Sequence, residues 1–206
     1  MYGAGAFCIY HPQSEIVVAA LSDVAAAASA ALDRVEATVG MTAGRTINIY
    51  AHESWQQLAA MSWLPMYAAF GDTTGIWMPY TRVLHADPRA LLHELAHTVT
   101  FRAFPGANNL LAEGVAEWTA HEISNWAFFD AAKADSCTQS LTELATMRPI
   151  PFECQGAAAR IVEQLVTQHG GLGPYWDLVQ AAYADPVVAP VTVYGLTWDE
   201  IDALYR

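Results

Sequence analysis

Positive charge is scarce in this chain. Its 206 residues hold nine Lys and Arg against 21 Asp and Glu, for a formal charge of −12 and a pI near 4.8. Lys133 is the only lysine. A phosphate backbone or an anionic membrane surface would repel such a protein, so no nucleic-acid partner is expected. Cysteine is scarce as well. Cys8, Cys137 and Cys154 are too few for a disulfide framework and lack the paired CxxC spacing of a zinc knuckle or a redox dithiol. Cys137 and Cys154 are near enough in sequence to close one loop, which suits an oxidising compartment; the other reading is two buried thiols. No run reaches the ~18 apolar residues of a membrane span. The first cation is Arg34, so the N-terminus has no basic segment and the chain as given is expected to carry no signal peptide.

Apolar residues, by contrast, are plentiful: 54% of the chain is hydrophobic, 15% is charged, and there are seven Trp. That excludes an intrinsically disordered chain and supplies a sizeable core. The length suits one domain at roughly 100–200 residues each. A single domain over 1–206 is expected, with a strand-containing lobe over about 1–104 and a helical lobe over about 105–206.

Phe7–Tyr10 reads as a short strand. A helix capped by Ser14 and rich in Ala follows to about Thr38, with Gly40 ending it. Thr46–Tyr50 alternates apolar with polar residues as a half-buried strand does, and Glu53 to about Met61 reads as a short helix. The turn-rich stretch Gly71–Gly75 leads into Ile76-Trp77-Met78, stopped by Pro79, which reads as an edge strand. From Asp87 the pattern becomes helical. Asp87 can cap and Pro88 can occupy the first position of a helix running to about Phe104. Pro105-Gly106-Ala107-Asn108 breaks it, Asn108 or Asn109 can cap the next helix, from Leu110 to about Glu122, and the two are expected to pack antiparallel. Further helices are expected at about 139–147, 156–168, 174–183 and from Thr197 onward. Strands first and helices after is the pattern of an α+β fold. The finer expectation is a small mixed N-terminal sheet with an edge strand, a metal-binding helix pair and an all-helical C-terminal part.

His93-Glu94-Leu95-Ala96-His97 places an HExxH pattern inside a helix. Four residues at about 100° each bring both imidazoles to one face, one turn apart, so they can share a metal. Glu94 lies on the adjoining face, where it can take a proton from water at the metal without being a ligand. Composition alone yields the pattern in roughly one of 100 chains of this size, so a third ligand is needed. Leu111-Ala112-Glu113-Gly114-Val115-Ala116-Glu117-Trp118 offers it. At ~1.5 Å per residue, His97 and Glu113 sit at matching levels, about 6–10 Å from the turn that joins their helices. Two imidazoles, one carboxylate and one position left for water form a catalytic zinc arrangement. Glu117, one turn further, is placed to hold the other ring nitrogen of a ligating His, with Glu117 as the ligand itself the alternative.

HELAH followed by LLAEGVAEW resembles the zinc metallopeptidases called gluzincins, and within them small bacterial peptidase MA-like members that carry HELxH and an EGxAE segment. The resemblance extends over most of the chain, with about 25 residues specific. It implies one zinc ion held by His93, His97 and Glu113, Glu94 as general base, and an edge strand at Gly75, Ile76 and Trp77 that receives a peptide or protein substrate. It also implies secretion or an extracytoplasmic location, in keeping with the near absence of Lys. Such enzymes commonly have a Tyr just before the helix after the metal site. Here that place is near Cys154-Gln155, so the stabiliser of the oxyanion is unassigned, with Tyr175, Tyr183 and His169 as candidates. Three bland readings stand beside this one. HExxH can be an ordinary exposed helix face, zinc can be kept for stability alone, and the domain can be an inactive zinc-containing binding module that uses the same groove.

Overall fold

Alternating apolar residues fold the N-terminal segments into a sheet with one buried face. The computed structural model describes residues 1–11, 14–52, 54, 56, 70–71, 75–79, 88–124 and 136–205. Strand β2 (Phe7–Tyr10) buries Phe7 and Ile9, and β3 (Ile47–His52) buries Ile47, Ile49 and Ala51, as the two-residue period of a strand requires. β2 and β3 pair parallel, Phe7 opposite Ile47 and Ile9 opposite Ile49. A parallel pair needs a long crossover, and α1 (Glu15–Val39) supplies it. Along α1, Val17, Leu21, Val24, Ala28, Leu32, Val35 and Val39 are buried, a stripe at three- and four-residue spacing. Each such Val or Leu contributes ~1.5–3 kcal/mol of apolar burial. Gly40 ends the helix in the left-handed region at φ 68°, its N–H bonded to the Glu36 carbonyl, a backbone shape glycine takes without penalty. Ser14 sits at the capping position, but its side chain makes no capping hydrogen bond.

The sheet has five strands in the order β1-β2-β3-β5-β4. β1 (Tyr2–Ala4) pairs antiparallel with β2, and β5 (Gly75–Pro79) pairs parallel with β3. This corrects one expectation. β5 is not an edge strand, because the two-residue strand β4 (Phe70–Gly71) pairs antiparallel on its outer side, Phe70 opposite Trp77 and Gly71 opposite Ile76. A partner strand of two residues leaves no periodic signal in the sequence. Apart from residues 54 and 56, the helix expected over Glu53–Met61 lies outside the described residues, as do the Asp87 cap and the turn-rich residues between Gly71 and Gly75.

The chain divides into two compact units, Met1–Arg102 and Ala103–Arg206. The first holds the sheet, α1 and nearly all of α2 (Pro88–Ala103). Arg102 ties the end of α2 to the segment before β3, donating to the carbonyls of Ala43 (3.0 Å), Arg45 (2.7 Å) and Thr46 (2.9 Å). The described elements of the second unit are all helical: α3 (Asn109–Ser124), α4 (Leu141–Leu144), a 3-10 turn (Phe152–Cys154), α5 (Gln155–Gln168), α6 (Leu172–Ala181), α7 (Ala189–Tyr194) and α8 (Trp198–Tyr205). Ser140 starts α4 with a reciprocal capping box with Glu143, which satisfies two otherwise unpaired donors. Trp198 is buried in this unit and donates its indole N–H to the Pro186 carbonyl at 2.8 Å. The Cys137–Cys154 pair is bridged, its Cα atoms 4.8 Å apart, which decides between the two sequence readings. Mixed α and β structure, with no described helix long and apolar enough to cross a membrane, is thus established.

Candidate metal centre

Helix α2 is buried almost all round. Leu91, Leu92, Leu95, Ala96 and Val99 are core residues, and Thr98 and Thr100 are buried among them. Such a helix must satisfy its polar groups internally. Thr98 donates its hydroxyl to the Glu94 carbonyl at 2.9 Å and Thr100 donates to the Ala96 carbonyl at 2.8 Å. Two histidines in this setting are therefore not a solvated helix face. His97 is only 5% exposed and stacks on Phe101, with centroids 5.0 Å apart, while His93 and Glu94 are half-buried. The rings of His93 and His97 meet edge to face at 4.6 Å, and their Nε2 atoms stand 3.0 Å apart. The four-residue spacing thus brings the two nitrogens together as expected, with Glu94 next to His93 in the chain.

Glu113 is set by the second unit. Asn108 accepts from the Leu110 N–H at 3.0 Å and so caps α3, while its amide donates to the Ala145 carbonyl at 2.6 Å. Gly114 lets α3 lie directly on α5. A β-carbon there would stand 2.8 Å from Val162 Cγ2 and 2.9 Å from the Ala158 carbonyl oxygen, closer than packed atoms allow. Gln155, first residue of α5, donates from Nε2 to Glu113 Oε2 at 2.8 Å. Sequence reasoning missed this residue. Its partner is 42 positions away, and the sequence singled it out only, with Cys154, as the place where an expected Tyr is missing.

His93, His97 and Glu113 each offer one ligand atom, and these three atoms all lie within 4.8 Å of one another. The group could hold a single ion: ligands ~2.0–2.1 Å from a tetrahedral centre stand about 3.3–3.4 Å apart, against 3.0 Å between the two imidazole nitrogens and at most 4.8 Å across the group. Imidazole nitrogens with a carboxylate oxygen suit zinc among the divalent metals, though other ions accept the same set. Among the described residues the group contains Glu113 and not Glu117. Glu117, at 8% exposure, is buried on α3 one turn further along. His121 borders a surface pocket with Trp118, Arg160 and Glu163 and is not in the group.

The three candidates for an oxyanion donor have partners of their own. Tyr175 is fully buried and donates to the Leu111 carbonyl at 2.7 Å, and burial holds its phenol well above the usual tyrosine value, so it stays a protonated donor. Tyr183 donates to the Pro105 carbonyl at 2.9 Å, and His169 pairs through Nε2 with the Tyr205 hydroxyl. The expectation for Gly75, Ile76 and Trp77 also changes: the outer side of β5 is taken up by β4 at Ile76 and Trp77, so those positions do not offer a substrate an open ladder. Comparison with family models, curated proteins and solved structures finds no match to this chain.

Proposed function

We propose that this chain is a zinc-dependent metallopeptidase of the gluzincin, peptidase MA-like kind, hydrolysing peptide bonds with Glu94 as general base. The observation that carries the reading is the convergence of His93, His97 and Glu113 within 4.8 Å, with Glu94 on the same buried helix. Zinc bound there would polarise a carbonyl and bring the pKa of a coordinated water down towards 7. The chain's own residues supply the rest. The Glu94 carboxylate accepts the proton of the attacking water and hands it to the leaving nitrogen, a proton transfer worth ~10²–10⁴-fold in rate. Glu117 serves as the outer carboxylate that orients a ligating imidazole. The substrate is a peptide or protein. The location would be extracytoplasmic or secreted, a reading supported by the Cys137–Cys154 bridge, since disulfides persist in oxidising compartments.

A second reading, a catalytically inactive zinc-containing binding domain, is favoured by one observation: Tyr175, Tyr183 and His169 are each held by another partner. Cleavage of a mixed peptide library by wild type and Glu94→Gln at equal zinc occupancy separates the two. The hydrolase reading expects a loss of ~10²–10⁴-fold in the variant. Equal cleavage by both proteins would remove Glu94 from the chemistry, and no cleavage by wild type would favour the binding module.

A further inference from the structure

The hydrogen bond from Gln155 to Glu113 joins two residues whose backbones are both held in place by other contacts. On one side, Gln155 directly follows Cys154, which is bridged to Cys137, and opens α5. Three residues on, at Ala158, α5 touches α3 so closely that Gly114 has no room for a β-carbon. On the other side, Leu111, two residues before Glu113, gives its carbonyl to the buried Tyr175 hydroxyl. The amide and the carboxylate therefore meet at 2.8 Å with little freedom left to lose. That is the condition under which one hydrogen bond sets an orientation.

We infer that Gln155 is a positioning residue for the metal: its amide fixes the rotation of the Glu113 carboxylate and so presents that group to an ion shared with His93 and His97. This rests on the reading of those three residues as ligands. The chemistry of the donor matters. A neutral amide holds the carboxylate while leaving its full negative charge for the cation, and an oxygen with two lone pairs can accept an N–H and still offer an atom to a metal. A Lys or Arg in its place would neutralise the charge, and an acid would repel it. Groups that orient ligands in this way typically change metal affinity by 10–100-fold when removed.

The test uses the whole chain and the metals alone. Zinc affinity is measured by competition with a chromogenic chelator for wild type, Gln155→Ala, Gln155→Met and Glu113→Ala, and the visible bands of the Co²⁺-loaded proteins report ligand geometry. Gln155→Met keeps the side-chain length and guards against a packing loss in Gln155→Ala. The expected result is ~10–100-fold weaker zinc binding in both Gln155 variants, with altered cobalt bands and a metal-free unfolding midpoint close to wild type. A purely structural role would leave the cobalt bands as they were. Wild type binding zinc through Glu113 while Gln155→Met binds within about twofold, bands unchanged, would overturn the inference alone. Zinc binding by Glu113→Ala as tight as by wild type, or none by wild type, would overturn the ligand reading and the inference with it.

Discussion

In the unit Met1–Arg102, the two histidines that matter lie four residues apart on one helix, and their Nε2 atoms come within 3.0 Å by helical periodicity alone. In the unit Ala103–Arg206, Glu113 is held by Gln155 from 42 positions away, and its turn of helix is anchored through Leu111 by Tyr175 from 64. The first arrangement survives wherever α2 stays helical. The second exists only while α3, α5 and α6 stay packed. One is local geometry and the other is tertiary structure, so damage to each should look different.

The largest break in that comparison is loss of the disulfide. It lies wholly in the second unit, while Cys8, in the first, is free. Removing a bridge that spans 17 positions is expected to cost about 3 kcal/mol. Cys137→Ser with Cys154→Ser should lower the denaturant midpoint accordingly and deprotect amides of α3 and α5 in hydrogen exchange, whereas Cys8→Ser should change little. Equal deprotection of α1 and β3 in the double variant would mean that the units do not differ in this way.

A smaller effect sharpens the same contrast. Gly114→Ala forces a β-carbon to 2.9 Å from the Ala158 carbonyl oxygen, and overpacking of this kind costs ~1–3 kcal/mol. The helix propensity gained over glycine returns up to about 1 kcal/mol, so thermal unfolding should show a net loss of about 1–2 kcal/mol. Zinc affinity should fall with it, because α5 carries Gln155. Unchanged stability would show that α3 and α5 separate at no cost.

What the sequence made legible follows the same division. Signals confined to one stretch of chain were readable: Gly40 as the end of α1, Pro88 as the start of α2, Asn108 as one of two possible caps of α3 and the HExxH spacing. Signals that depend on a distant partner were not. β1, with Tyr2-Gly3-Ala4, and β4, with Phe70-Gly71, exist through pairing and have no alternation to reveal them. Val-Thr-Val-Tyr in α7 has the β-branched content of a strand. It is helical because Ala189 and Pro190 are buried at its start and Gly195, at φ 70°, closes it, so tertiary context overrides propensity. Gln155 belongs to this second class, since an amide beginning a helix acquires meaning only when a carboxylate is packed beside it.

The most direct test of the account is metal content. Zinc should be counted per chain, after dialysis against metal-free buffer, for wild type, His97→Ala and Glu113→Ala, with circular dichroism to show that each variant is folded. The account predicts one equivalent in wild type and a large loss in both variants. Retention of a full equivalent by both would place any zinc site elsewhere and contradict the joint role of His93, His97 and Glu113.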